Sequence, residues 1–168
     1  YGYHALETLQ CMVERRRGGE TGVESVQCLT GDDVWRARDR GEWSGELGVK
    51  VLEVSEHANG TDPEECDNPT LFLVRYRDGL KASVLHLEGY VQEFAYAARR
   101  RDGTVEATEF YLQNDGPFSH FGYLVRNVET FFRSGVAPYP VERTLLTTGA
   151  IDAAMNSRFE GGRVIDTP

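Results

Sequence analysis

Several things are scarce in this sequence, and each scarcity closes a route. Cysteine occurs three times, at Cys11, Cys28 and Cys66, widely spaced and with no C-x-x-C pair. Isolated thiols in odd number argue against a disulfide framework or a zinc site and suggest reduced cysteines in a cytoplasmic protein. Positive charge is in deficit, with 18 Lys and Arg against 27 Asp and Glu and a net charge of −9. A surface of that sign disfavours binding to nucleic acid and to anionic membranes. No apolar run approaches the roughly 20 residues that a bilayer span needs, so no membrane partner is expected. The sequence has no G-x-G-x-x-G and no P-loop, so no cofactor pyrophosphate has a cradle in this chain. No His, Cys or carboxylate cluster repeats at ligand spacing, and no metal is expected. Ser44, Ser83 and Ser119 lack a G-x-S-x-G context, which leaves a hydrolase triad without support. An initiator methionine is missing too. The chain opens Tyr1-Gly2-Tyr3-His4, directly in a helical pattern, and is read as a segment of a longer protein.

What is present suffices for one domain over residues 1–168. The hydrophobic fraction is 40%, and eight Tyr and eight Phe supply bulky core material. Leu6, Leu9 and Val13 form one stripe of an amphipathic helix. Arg15, Arg16 and Arg17 are expected in its last turn, ahead of Gly18-Gly19. Val23 to Thr30 reads as a strand, and Asp32-Asp33 as the cap of a short helix. Leu47 to His57 fits either helix or strand, and Glu53 to Asp67, with six acidic residues and no Lys or Arg, reads as an exposed loop.

The centre carries four strand candidates: Leu71–Tyr76, Leu80–Leu87, Val91–Ala98 and Thr104–Leu112. Asp78-Gly79 and Asp102-Gly103 mark two tight hairpins, which makes these strands antiparallel. Phe118, Phe121, Val125, Val128 and Phe132 then trace a second helical stripe, and Leu146, Ala150, Ala153 and Ala154 a third. Arg163–Asp166 is a candidate edge strand. The order predicts an α+β domain: a mostly antiparallel open sheet with helices packed on one face. The other sheet face, carrying Phe72, Val74, Tyr76, Phe94, Tyr96 and Phe110, is expected to join a homo-oligomer.

His4 is the leading chemical candidate. In the first turn of a helix an imidazole sits where the helix dipole favours its neutral form, which suits proton transfer near neutral pH. Glu7, three residues on, shares a helical face with it and is a candidate to orient the ring. A histidine that merely caps or packs, and a solvated first-turn carboxylate, are the plainer alternatives. His57 and His120 are isolated, while His86 alternates with Val84 and Ala82 on one sheet face and is a candidate pocket wall.

Three stretches together resemble one family. Gly2-Tyr3-His4-Ala5-Leu6-Glu7 is similar to the G-x-H-x-x-D segment of the glucose–fructose oxidoreductase / inositol dehydrogenase (Gfo/Idh/MocA) family. Thr108-Glu109-Phe110-Tyr111-Leu112 looks like its sheet strand, and Pro138 through Glu142-Arg143-Thr144-Leu145-Leu146 to Ser157 and Gly161-Gly162 like its closing helix. The resemblance covers essentially the whole chain and implies the dihydrodipicolinate-reductase-like carboxy-terminal domain of such an enzyme. It implies an upstream Rossmann domain, not in this chain, that binds NAD or NADP. It further implies a small hydroxylated substrate (a sugar, a polyol or a related compound), His4 as the catalytic residue and Tyr3 and Glu7 as its neighbours at the substrate. Glu7 stands where the family has Asp. The rival expectation is a non-catalytic sensor or assembly domain of the same fold.

Overall fold

Alternation decides which way the central strands face. In the computed structural model, which describes residues 1–113 and 115–168, β1 (Val23–Thr30) pairs antiparallel with β2 (Pro69–Tyr76), and β2 with β3 (Lys81–Leu87). A two-residue strand, β6 (Ile165–Asp166), closes the far side of β1, giving the order β3-β2-β1-β6. Even-numbered Val26, Cys28, Phe72, Val74, Tyr76 and Val84 point to one face and are buried there. Two helices cover them: α1 (Gly2–Val13), through Leu6, Leu9 and Val13, and α5 (Val141–Phe159), through Ala150, Ala153 and Ala154. The chain is an α+β fold with an open antiparallel sheet.

The opposite face has its own, smaller cover. α2 (Asp32–Asp39) and the following Trp43 bury Leu29, Leu71 and Leu73, and the Trp43 indole donates to the Val34 carbonyl at 2.8 Å. Phe72, Val74 and Tyr76 are therefore not an exposed oligomer patch. Each is at most 3% exposed beneath α1 and α5. The alternation was legible, but the face that the helices choose was not.

Capping explains several boundaries. α1 stops at Val13, so Arg15, Arg16 and Arg17 lie past its last turn; Arg16 instead bridges to Asp78 at the β2–β3 hairpin tip, 2.7 Å away. Asp32 and Asp33 sit inside the first turn of α2, and Gly31 occupies the cap with a φ of 58°. The ambiguous segment is helical: α3 (Gly45–Val54) starts where the Ser44 hydroxyl accepts from the Leu47 amide. The acidic loop is partly tied down. Pro63 and Cys66 are buried, and the Tyr90 hydroxyl donates to Glu65.

The four central strands do not form one sheet. β4 (Ala95–Arg99) and β5 (Val105–Glu109) make a separate antiparallel hairpin, against which α3 packs. Residues Val91 to Phe94, expected as strand, form a connector instead. β6 is too short to pair with the whole of β1, so the Cys28 amide donates to the Ser157 hydroxyl of α5 at 2.8 Å. That hydroxyl in turn donates to the Arg163 carbonyl at 2.6 Å. The buried backbone donor is thus satisfied without a strand partner. After the hairpin comes α4 (His120–Ser134), ended by Gly135 in the left-handed region. No helix among the described residues is long and apolar enough to cross a membrane.

Candidate functional site

The break between β3 and β4 opens a cleft. It measures about 570 Å³ and is walled by α1, the Trp43–Leu52 stretch, β3 and β4. Its size falls within the roughly 300–1,000 Å³ of small-molecule pockets. Leu9, Leu47, Val51 and Val84 supply apolar wall, while Thr8 and Ser83 add hydroxyls. The charged side chains along it, Glu42, Lys81, Glu93 and Arg99, balance in sign. Such a lining suits a neutral ligand with both apolar and hydroxyl surface.

His4 stands beside this cleft, exposed in the first turn of α1. Its ring meets Phe94 edge-on, with centroids 6.5 Å apart, and Phe94 and Ala5 both line the cleft. Tyr3, half-buried, flanks the imidazole at 6.2 Å. The Thr8 hydroxyl is turned to the His4 carbonyl, 2.9 Å away, and leaves the ring untouched.

Glu7 does not orient His4. Its carboxylate accepts from the Arg143 guanidinium and, at 2.5 Å, from the Thr147 hydroxyl, both on α5. Burial works against its charge, but hydrogen bonds from Thr147 and Arg143 and the guanidinium charge outweigh that and hold the carboxyl below its usual range. Arg143 also donates to Glu14, 2.8 Å away. The four side chains clamp α1 to α5, so Glu7 is neither the orienting carboxylate nor the solvated first-turn carboxylate that its spacing along α1 offered, because a tertiary cation takes it.

Two other histidines acquire defined surroundings. His86 shares the face of Val84, as alternation predicts, and its ring lies against Phe72 with centroids 6.3 Å apart. Its Nε2 is buried without a hydrogen-bond partner among the described residues, and burial pushes its pKa down, so the neutral imidazole is favoured. It is not among the residues lining the cleft. His57, isolated in sequence, contacts Glu93 at 2.5 Å through Nδ1. That hydrogen bond and the carboxylate's charge push the imidazole pKa up. Glu93 lines the cleft next to Phe94. The sequence reading missed Glu93, and no spacing rule joins residues 57 and 93.

The β1–Gly31–α2 junction does not suit a dinucleotide: Asp32 and Asp33 occupy the helix's first turn, where a pyrophosphate would meet two negative charges. Among the described residues, no group of three or more His, Cys, Asp or Glu is placed to hold a metal ion. No protein-family model matches this chain, and searches of curated proteins and of solved structures returned no match.

Proposed function

We propose that this chain is the substrate-binding and assembly domain of an NAD(P)-dependent oxidoreductase of the Gfo/Idh/MocA type, acting on a sugar, polyol or related hydroxyl compound. The observation that carries this reading is the position of His4, an exposed imidazole at the edge of a cleft sized for a small molecule. The balanced charge and mixed lining of the cleft fit a neutral hydroxylated ligand. His4 takes the proton from the substrate carbinol, a step that a positioned imidazole accelerates by about 10²–10⁴. A nicotinamide, bound by a nucleotide-binding domain outside this chain, would supply the hydride acceptor. Phe94 and Tyr3 restrict the ring's tilt, in place of the carboxylate that Glu7 does not provide.

The alternative, a sensor or assembly domain without turnover, draws support from that same commitment of Glu7 to Arg143. The test uses the protein that carries the nucleotide-binding domain. Nicotinamide reduction is followed across a panel of polyols and sugars. Turnover that His4→Ala lowers by about 100-fold or more, with cofactor affinity unchanged, is the expected result. Polyol binding without any turnover favours the sensor. Turnover indifferent to His4→Ala removes the histidine from catalysis.

A further inference from the structure

Helix α4 is amphipathic, and nothing among the described residues covers its apolar side. Every residue from Phe121 to Ser134 is exposed. Phe121, Leu124, Val125, Val128, Phe131 and Phe132 range from 41% to 80% exposed. An isolated helix of this length is marginal in water, since most helical stability in proteins comes from packing the apolar face. A buried aromatic side chain is worth about 150–250 Å². On that scale the stripe, with adjoining Phe118, presents on the order of 700 Å² of apolar surface. A specific interface takes about 800 Å² from each partner.

The spacing says what kind of surface fits. Phe118, Phe121, Val125, Val128 and Phe132 follow one another at intervals of three and four residues, the seam spacing of helix-on-helix packing. Leu124 and Phe131 widen the seam on one side. The helical part of this seam is also symmetric about the point between Arg126 and Asn127. Turned end for end, it sets Phe121 opposite Phe132 and Val125 opposite Val128. Arg126 and Asn127 lie off the seam, and Arg133 is neutralised within its own helix by Glu129 at 2.6 Å. No like charges are therefore forced together at the contact. A surface that matches itself under a two-fold rotation is what an isologous dimer requires.

We propose that α4 is a homodimer interface, in which the α4 helices of two copies of this chain pack antiparallel about a two-fold axis near residues Arg126 and Asn127. This replaces the sheet face, whose Phe72, Val74 and Tyr76 are core. It does not depend on nicotinamide chemistry, so either proposal can fail alone.

Light scattering over a concentration series tests it first on the chain itself. A dimer is expected, with Val125→Asp raising its dissociation constant about tenfold or more, because a carboxylate would be buried in the seam. Val125 is 63% exposed, so circular dichroism of the variant should match the parent. Orientation is read by oxidative cross-linking in a Cys11→Ser background. Val128→Cys, on the seam and close to the axis, should form a disulfide-linked dimer readily. Phe132→Cys, also on the seam, should not, since an antiparallel pair separates those positions by about 16 Å along the axis at 1.5 Å per residue. A monomer at high concentration, a dimer indifferent to Val125→Asp, or preferential cross-linking at residue 132 would each overturn the proposal. So would protection of α4 only when the nucleotide-binding domain is present, which would assign the stripe to contact between domains.

Discussion

Glu7 on α1 and Arg143 on α5 are 136 residues apart in the chain, yet they form one charge-assisted clamp. Arg143 is also the partner of Glu14, so a single guanidinium joins a carboxylate on α1 to one seven residues on, at the helix's C-terminal cap. Their side chains are only 20–27% exposed. Arg143→Ala leaves both carboxylates facing α5 without their cation, and a loss of about 1–3 kcal/mol in unfolding free energy is expected by urea titration.

The pH dependence of that clamp has a definite sign. A Glu7 carboxyl held below its ordinary value of 4.5 is protonated more readily in the unfolded chain than in the folded one. Its stabilisation is therefore complete above that pH and is lost as pH falls through the folded value. Glu20, held down despite burial by hydrogen bonds from Gln10 and the backbone, acts in the same direction. Acid unfolding of Glu7→Gln should begin from a lower baseline and show a shallower dependence below pH 4.5. An unchanged acid limb would separate Glu7 from the effect.

Tyr76 gives a cleaner test of buried polarity. Its hydroxyl donates to Gln10 Oε1 at 3.0 Å, and both residues are 2% exposed. Burial pushes the phenol's pKa up, so it stays a neutral donor. Tyr76→Phe keeps the ring and the Arg16 guanidinium stacked 4.8 Å from its centre, and removes only the donor. The buried amide oxygen is then unpartnered, and a cost of about 1–2 kcal/mol is expected by thermal or urea unfolding. No measurable cost would mean that Gln10 finds another donor.

His57 and His86 should titrate on opposite sides of 6.5, the ordinary imidazole value. The hydrogen bond to Glu93 raises His57, so its contribution to stability is present below 6.5 and is lost as pH rises through the folded value. Burial lowers His86, so its contribution is present above 6.5 and is lost on acidification. Ring-proton chemical shifts followed by NMR resolve the two. Glu93→Gln should bring His57 back towards 6.5 and leave His86 where it was; a joint shift would contradict the pairing.

Local order was written plainly in the chain. The i, i+3, i+7 stripe of Leu6, Leu9 and Val13, the Asp-Gly hairpins and the α4 stripe ended by Gly135 needed only backbone periodicity and turn chemistry, which act over a few residues. Those signals sufficed for an α+β domain with antiparallel strands. They did not show that the sheet would divide between β3 and β4, because Gly89-Tyr90 marks a turn without saying whether the strands on either side go on to pair. The cleft exists because of that division.

The environment of His4 shows the same boundary. Its place at the start of a helix followed from sequence, and so did the helical face that Glu7 shares with it. What Glu7 does depended on Arg143, a cation delivered by a helix at the other end of the chain. The partners of His57 and the burial of Phe72, Val74 and Tyr76 were likewise settled by long-range packing. Periodicity assigns a side chain to a face, but only the assembled layers decide what covers that face and which charge arrives beside it.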